Sequence, residues 1–228
     1  MSLRLNKYLF TQTSWTSEAL TPLVTVAHTP AELGKYNGVV LCGKETVGLF
    51  DLVVEEKTEG SNRQIDLQAI VDRRITGGDE AFHVQYKKPV FFYVPSGKGG
   101  YSVVLFRYEG KKKVVVFDSR KLNKGDVFMF SPVRRGKYAM TNGRDFKGEI
   151  HVEPPSGKSI AIEPAVVECT EKGCAPKSVK VVTSQPIIFV LHSPASFKIA
   201  LEESKQTPPK RYPPKRRRGR RIGKDTML

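Results

Sequence analysis

Cys169 and Cys174 stand in the segment CTEKGC, the tightest grouping of metal-ligating or redox-active side chains in the chain. A structural zinc site needs four ligands, normally two pairs at matching spacing. What remains is Cys42 and four histidines (His28, His83, His151 and His192), scattered singly, with no CxxC, HxH or HExxH. The Cys169/Cys174 pair is therefore expected as free thiols at a turn, with a disulfide across the short loop or a contribution to an unusual metal site as the alternatives. A blue-copper centre wants two His, a Cys and usually a Met in close array. No such cluster occurs, so no metal or cofactor is expected.

Covalent catalysis finds little support. No GxSxG motif is present, and Cys42 follows a Val-Val-Leu run that reads as a strand end. Glu55-Glu56 and Asp79-Glu80 are adjacent pairs in turns. Neighbours in an extended chain point to opposite faces, so they do not form an acid/base pair on their own. An enzyme on this chain would need His83, His151 or His192 beside Cys169, Cys174 or a carboxylate. Ser96-Gly97-Lys98-Gly99-Gly100 is glycine-rich but lacks the GxxxxGK[ST] spacing, and a strand-like run follows it where a phosphate cradle would need a helix. It is expected as a hairpin loop.

The strongest signal is electrostatic. The segment KQTPPKRYPPKRRRGRRIGK (205–224) holds ten Lys/Arg, no acid and two Pro-Pro pairs. Its core is Lys210, Arg211, Lys215, Arg216, Arg217, Arg218, Arg220 and Arg221, with Tyr212 between the proline pairs. So charged and apolar-poor a stretch cannot bury enough surface to offset its ordering entropy, so 205–228 is expected to be a disordered, extended basic arm. The chain carries +15, of which 205–228 contributes +9, ten cations against Asp225. The other 204 residues carry only six excess positive charges, 28 Lys/Arg against 22 acids. This asymmetry points to a polyanionic partner, RNA or DNA first, bound without sequence preference through the arm. A large protein assembly with an acidic surface is the alternative partner, the chain then acting as an accessory or scaffold subunit. A homo-oligomer is compatible with either.

Secondary basic candidates lie in the body. Lys111 and Lys112 sit at a hairpin tip, and Arg134 and Arg135 lead through Gly136-Lys137 to Tyr138. If these tips share one end of the fold, they form a basic rim beside aromatic side chains, suited to phosphate and base stacking.

The elements that must position these residues are almost all strands. Runs such as PVFFYV (89–94), YSVVLFRY (101–108) and KVVVFD (113–118) are rich in Val, Phe and Tyr, with turn residues between them. Residues 64–72 alternate apolar and polar, which favours a strand over a helix. Leu3, Leu5 and Tyr8–Phe10 suggest an edge strand, and His28–Gly34 carries a helix-start signal worth one turn. Short strands every 8–12 residues or so imply an all-β chain, either an antiparallel β-sandwich or two small β-sandwich or barrel lobes. The only break, Pro154-Pro155, divides a main β domain (1–153) from further strands (154–204) ahead of the arm. No internal repeat is visible. Neither a secretory leader nor an apolar run long enough to span a membrane occurs. A reducing cytoplasmic setting is expected, with nuclear import through 210–221 where a nucleus exists.

Overall fold

β-Branched and aromatic runs fill pleated, half-buried surfaces well, and they fold as strands nearly throughout. The computed structural model describes residues 6–58, 63–72, 81–143, 146–155 and 163–202. Its strands are β1 (Ser14–Thr16), β2 (Val24–His28), β3 (Gly34–Cys42), β4 (Glu45–Glu55), β5 (Arg63–Asp66), β6 (Phe82–Gln85), β7 (Val90–Tyr93), β8 (Tyr101–Glu109) and β9 (Lys112–Asp118). They continue as β10 (Val127–Phe130), β11 (Gly136–Thr141), β12 (Lys147–Glu153), β13 (Ala165–Thr170), β14 (Gly173–Ala175), β15 (Ser178–Val182), β16 (Ile187–Leu191) and β17 (Lys198–Leu201). Among the described residues the only helices are α1 (Tyr8–Thr11) and α2 (Leu67–Val71).

Three local expectations are corrected. Tyr8–Phe10 lie in α1, not an edge strand. The strand expected over 64–72 stops at Asp66, whose carboxylate accepts the Ala69 N–H and caps α2. No turn of helix forms before Gly34, which starts β3 at φ 117°. The Gly77–Asp79 turn and most of the expected 159–163 strand lie outside the described residues.

The chain is all-β and builds three sheets. A seven-stranded sheet runs β14-β13-β16-β10-β2-β7-β5, and two five-stranded sheets run β6-β4-β3-β8-β9 and β1-β17-β11-β12-β15. In the seven-stranded sheet Val26, Phe128, Phe92 and Phe189 are fully buried and lie in direct register, so they share one face. On that face Phe92 meets Phe50 of β4 and Phe117 of β9, while Phe128 stacks on Phe197 and Phe130 meets Tyr138 of β11. Both five-stranded sheets therefore cover the same face, side by side. Each fully buried Phe contributes about 2–3 kcal/mol of apolar transfer to this shared core.

The chain contains a structural repeat that its sequence hides. Strands β2 to β8 and β10 to β17 follow the same pairing scheme, with β14 as an extra strand in the second half. In the first half β7 pairs β2 antiparallel and β5 parallel; β16 does the same with β10 and β13. In the covering sheets β3 pairs β4 and β8 antiparallel while β6 joins β4 in parallel; β11, β12, β17 and β15 repeat this pattern. Local details recur at a spacing of 102 residues. Tyr36 donates its hydroxyl to the Glu32 carbonyl and Tyr138 donates its own to the Arg134 carbonyl, at 2.7 and 2.6 Å. Gly34 and Gly136 both open their strands at positive φ.

The two halves exchange their first strands. β1, which precedes the first half, pairs with β17 of the second, and β9, which precedes the second half, pairs with β8 of the first. Trp15 and Phe117 occupy equivalent positions, opposite Ile199 and Leu105. Buried Ser17 and Ser119 repeat the crossing: their hydroxyls accept the N–H of Phe197 and Val103, each in the other half.

Trp15 packs on Phe130 and Tyr138 at 5.0 and 5.9 Å and is buried. Trp15→Ala should cost about 4 kcal/mol and loosen β1, read as a lower urea midpoint by far-ultraviolet circular dichroism; an unchanged midpoint refutes the packing. The paired tyrosines give a pH signature. Burial pushes the Tyr36 and Tyr138 hydroxyls above their ordinary value, as each must stay protonated inside the core. Such a group holds its stabilising contribution below the unfolded-state value near pH 10 and loses it as pH rises through the folded value. Unfolding free energy should thus fall above about pH 10, and less steeply in the Tyr36→Phe/Tyr138→Phe double variant.

Candidate polyanion interface

The arm residues Lys210, Arg211, Lys215, Arg216, Arg217, Arg218, Arg220 and Arg221 lie outside the described residues. Lys111 and Lys112 are exposed at the turn between β8 and β9. Close to this tip, Arg107 is engaged by Glu32 and Glu109, and the Lys113 ammonium sits 3.6 Å from the centre of the Phe106 ring. Arg134 and Arg135 lie between β10 and β11. Glu32, next to the tip, follows β2; Arg134 follows β10, which is antiparallel to β2. The two basic tips therefore lie beyond opposite ends of the β2–β10 pair, and the single rim envisaged from the sequence is not assembled.

The glycine loop is not a phosphate cradle. Gly97, Gly99 and Gly100 have φ of 76, 65 and 94°. The Gly100 and Tyr101 amides are already committed to the Leu20 carbonyl, at 2.7 and 3.1 Å. A Cβ on Gly99 would stand 2.7 Å from that same oxygen, so glycine is needed there for close backbone approach.

A different cationic surface is assembled by the second half. On the outward face of the β1-β17-β11-β12-β15 sheet, Thr141 lies in register between Lys147 of β12 and Lys198 of β17. Beyond them a concavity of about 420 Å³ is lined by Lys147, Lys172, Lys177, Asn142, Phe146, Gly173 and one acid, Glu171. A neighbouring one of about 330 Å³ shares Asn142 and adds Arg120, Lys121 and Ser196. Arg120 is held by the Asp118 carboxylate through Nε and Nη2. Burial alone would raise Asp118; the Arg120 bonds reverse this and hold it below the usual carboxylate range. Lys121, Lys147, Lys172, Lys177 and Lys198 are exposed and make no ion pair among the described residues. At the other end of the same face Lys137 is bound by Glu149 and Glu202, at 2.6 and 3.6 Å. The sequence hides the five lysines because they come from four separate segments, none of them a basic run; strand register places Lys147 and Lys198, and the connecting turns bring in Lys121, Lys172 and Lys177.

The histidines each meet a carboxylate: His28 with Asp126 at 2.7 Å, His83 with Glu55 at 3.2 Å, His151 with Glu149 at 3.2 Å and His192 with Glu168 at 2.6 Å. The last three are solvent-facing surface pairs. The His28–Asp126 pair is internal: the imidazole stacks on Phe117, and the other Asp126 oxygen accepts the Asn123 N–H at 2.7 Å. It joins the two halves at the β2–β10 junction. Among the described residues no three His, Cys, Asp or Glu side chains group to hold a metal. No helix there is long and apolar enough to cross a membrane.

The free-thiol expectation for Cys169 and Cys174 is corrected. The β13–β14 hairpin sets them directly opposite, Cα atoms 4.0 Å apart, and they form a disulfide, both buried. Cys42 is the free, exposed thiol.

No family model, curated protein or solved structure matches this chain.

Thiol titration of the native protein should give one reactive group, Cys42, and three after reduction in denaturant. Three without reduction would refute the bridge. Replacing both bridged cysteines with serine should lower stability by about 2 kcal/mol, the loop-closure value for so short a ring.

Proposed function

We propose that the protein is a non-enzymatic β-rich nucleic-acid-binding protein of a structural or ribonucleoprotein-type assembly. The basic segment 205–224 provides the attachment and the strand body the platform. What supports this reading above all is the charge distribution: nine of fifteen excess positive charges fall in the last 24 residues. Arg supplies a planar fork for phosphate, and phosphate contacts carry no base code, so binding through the arm is independent of sequence. In a nucleated cell the run 210–221 would also serve as an import signal.

Each phosphate contact releases condensed counterions, so eight arm charges give a log–log salt slope of about −6 on single strands and −7 on duplex. Fluorescence anisotropy with a generic RNA and a generic duplex, from low to physiological salt, reads this slope. Replacing the eight core Lys/Arg of the arm with Gln in the full chain should flatten it by about six on single strands. If the unaltered protein binds neither nucleic acid at about micromolar concentration in low salt, the proposal fails. An acidic protein surface then becomes the partner to seek.

A further inference from the structure

We propose that the outward face of the second half's five-stranded sheet is a second phosphate-backbone site, built on Lys147 and Lys198 and extended by Lys121, Lys172 and Lys177. This rests on the nucleic-acid reading above and adds a site on the folded body.

The internal repeat supplies the comparison. In the first half the row corresponding to Lys147, Thr141 and Lys198 is Leu49, Val39 and Val104, joined by the same β4–β3–β8 register. Backbone and pairing are shared, yet one row is apolar, with Leu49 exposed and Val104 buried, and the other carries two exposed ammonium groups around a hydroxyl. Leu49 is 62% exposed, so the position tolerates a large apolar side chain facing solvent. The fold therefore does not require lysine in this row.

The surroundings point the same way. Lys137 on this sheet is bound by two glutamates, whereas the five lysines make no ion pair among the described residues. Lys147, Lys172 and Lys177 line one concavity and Lys121 the adjoining one, and among the described residues Glu171 is the only acid lining either. Like charges that outnumber the acids beside them repel one another, and a polyanion relieves that repulsion while releasing its own counterions. Lysine suits such a surface as a flexible point charge that follows a phosphate backbone without demanding one geometry. Location adds to this: Lys198 opens β17, and the chain passes from Leu201 directly toward the basic segment. A nucleic acid held by the arm is thus tethered to the sheet that carries the lysines.

The test uses the full chain and a generic single-stranded RNA in anisotropy titrations across a salt series. Four proteins are compared with the unaltered chain. The first has Lys121, Lys147, Lys172, Lys177 and Lys198 replaced by Gln, and the second has the same five replaced by Arg. The third removes equal charge elsewhere, with Lys44, Lys57, Lys87, Lys88 and Lys98 replaced by Gln. The fourth is the arm variant with its eight cations replaced by Gln. Removal of the five should flatten the slope by about three to four, and the Arg version should keep it. The charge-matched control should shift it by about one or less. The arm variant should retain salt-sensitive binding. Equal effects of the five-site and control variants would overturn the site, as would a slope unchanged by the five-site variant. If the unaltered chain binds and the arm variant loses all binding, the body site fails while the arm reading stands. If the unaltered chain binds no RNA or DNA, the nucleic-acid reading itself fails. Thermal melting of each variant separates loss of fold from loss of binding.

Discussion

The antiparallel pairing of β2 with β10 is the constraint on which the rest depends. It sets Val24 against Phe130 and Val26 against Phe128, fusing two half-sheets into one seven-stranded sheet. Asp126, buried beside this junction, takes hydrogen bonds from His28 of one half and from Asn123 at the start of the other. Because the two covering sheets share one face of this sheet, neither half closes its core without the other. Strand exchange strengthens the dependence. β1 supplies Trp15 to the far half and β9 supplies Phe117 to the near one, so each core borrows a large aromatic from across the junction. A cut between the halves would expose both cores, which predicts a single cooperative unfolding unit.

Duplication of one scheme also frees its faces to diverge. The inward positions are held to apolar residues by burial: Leu52 corresponds to Ile150, Ile65 to Val167 and Phe92 to Phe189. The outward positions are less constrained, with Leu49 of the first half and Lys147 and Lys198 of the second exposed to solvent. There the first half keeps Val39, Leu49 and Val104, while the second carries Thr141, Lys147 and Lys198. A change from Leu49 to lysine at an exposed position of a shared pairing scheme is what separate binding tasks for the two halves would produce.

This explains what the sequence did and did not disclose. Strand content was legible because Val-, Phe- and Tyr-rich runs between glycines and prolines have few other ways to bury their surface. The basic segment was legible because its charges are contiguous. The repeat was not, for burial asks only for apolar character: Val26 and Phe128 serve the same position without resembling one another. Unequal connections blur it further, since α2 follows β5 in one half and the β14 hairpin follows β13 in the other. α2 itself was misread because Ile65, Leu67 and Ala69 alternate as a strand would, while the Asp66 cap that starts the helix is one side chain. The lysine surface escaped for the same reason as the repeat, being a property of register between distant segments.

The arm and the sheet also act on different physical terms, and their combination matters more than either. As proposed, segment 205–224 would offer many charges at the entropic cost of ordering a charged chain on its ligand. The sheet lysines rise from a paired backbone whose conformation is already fixed, so little further ordering opposes them. Between Glu202 and Lys210 lie seven residues, a reach of under about 30 Å even when fully extended. On the proposed reading a strand caught by the arm would be confined near the sheet at an effective concentration in the millimolar range, where even weak lysine contacts would become occupied. On the proposed reading the arm would set the rate of capture and the sheet where the captured strand lies, which would turn a featureless electrostatic attachment into one with a defined path across the protein.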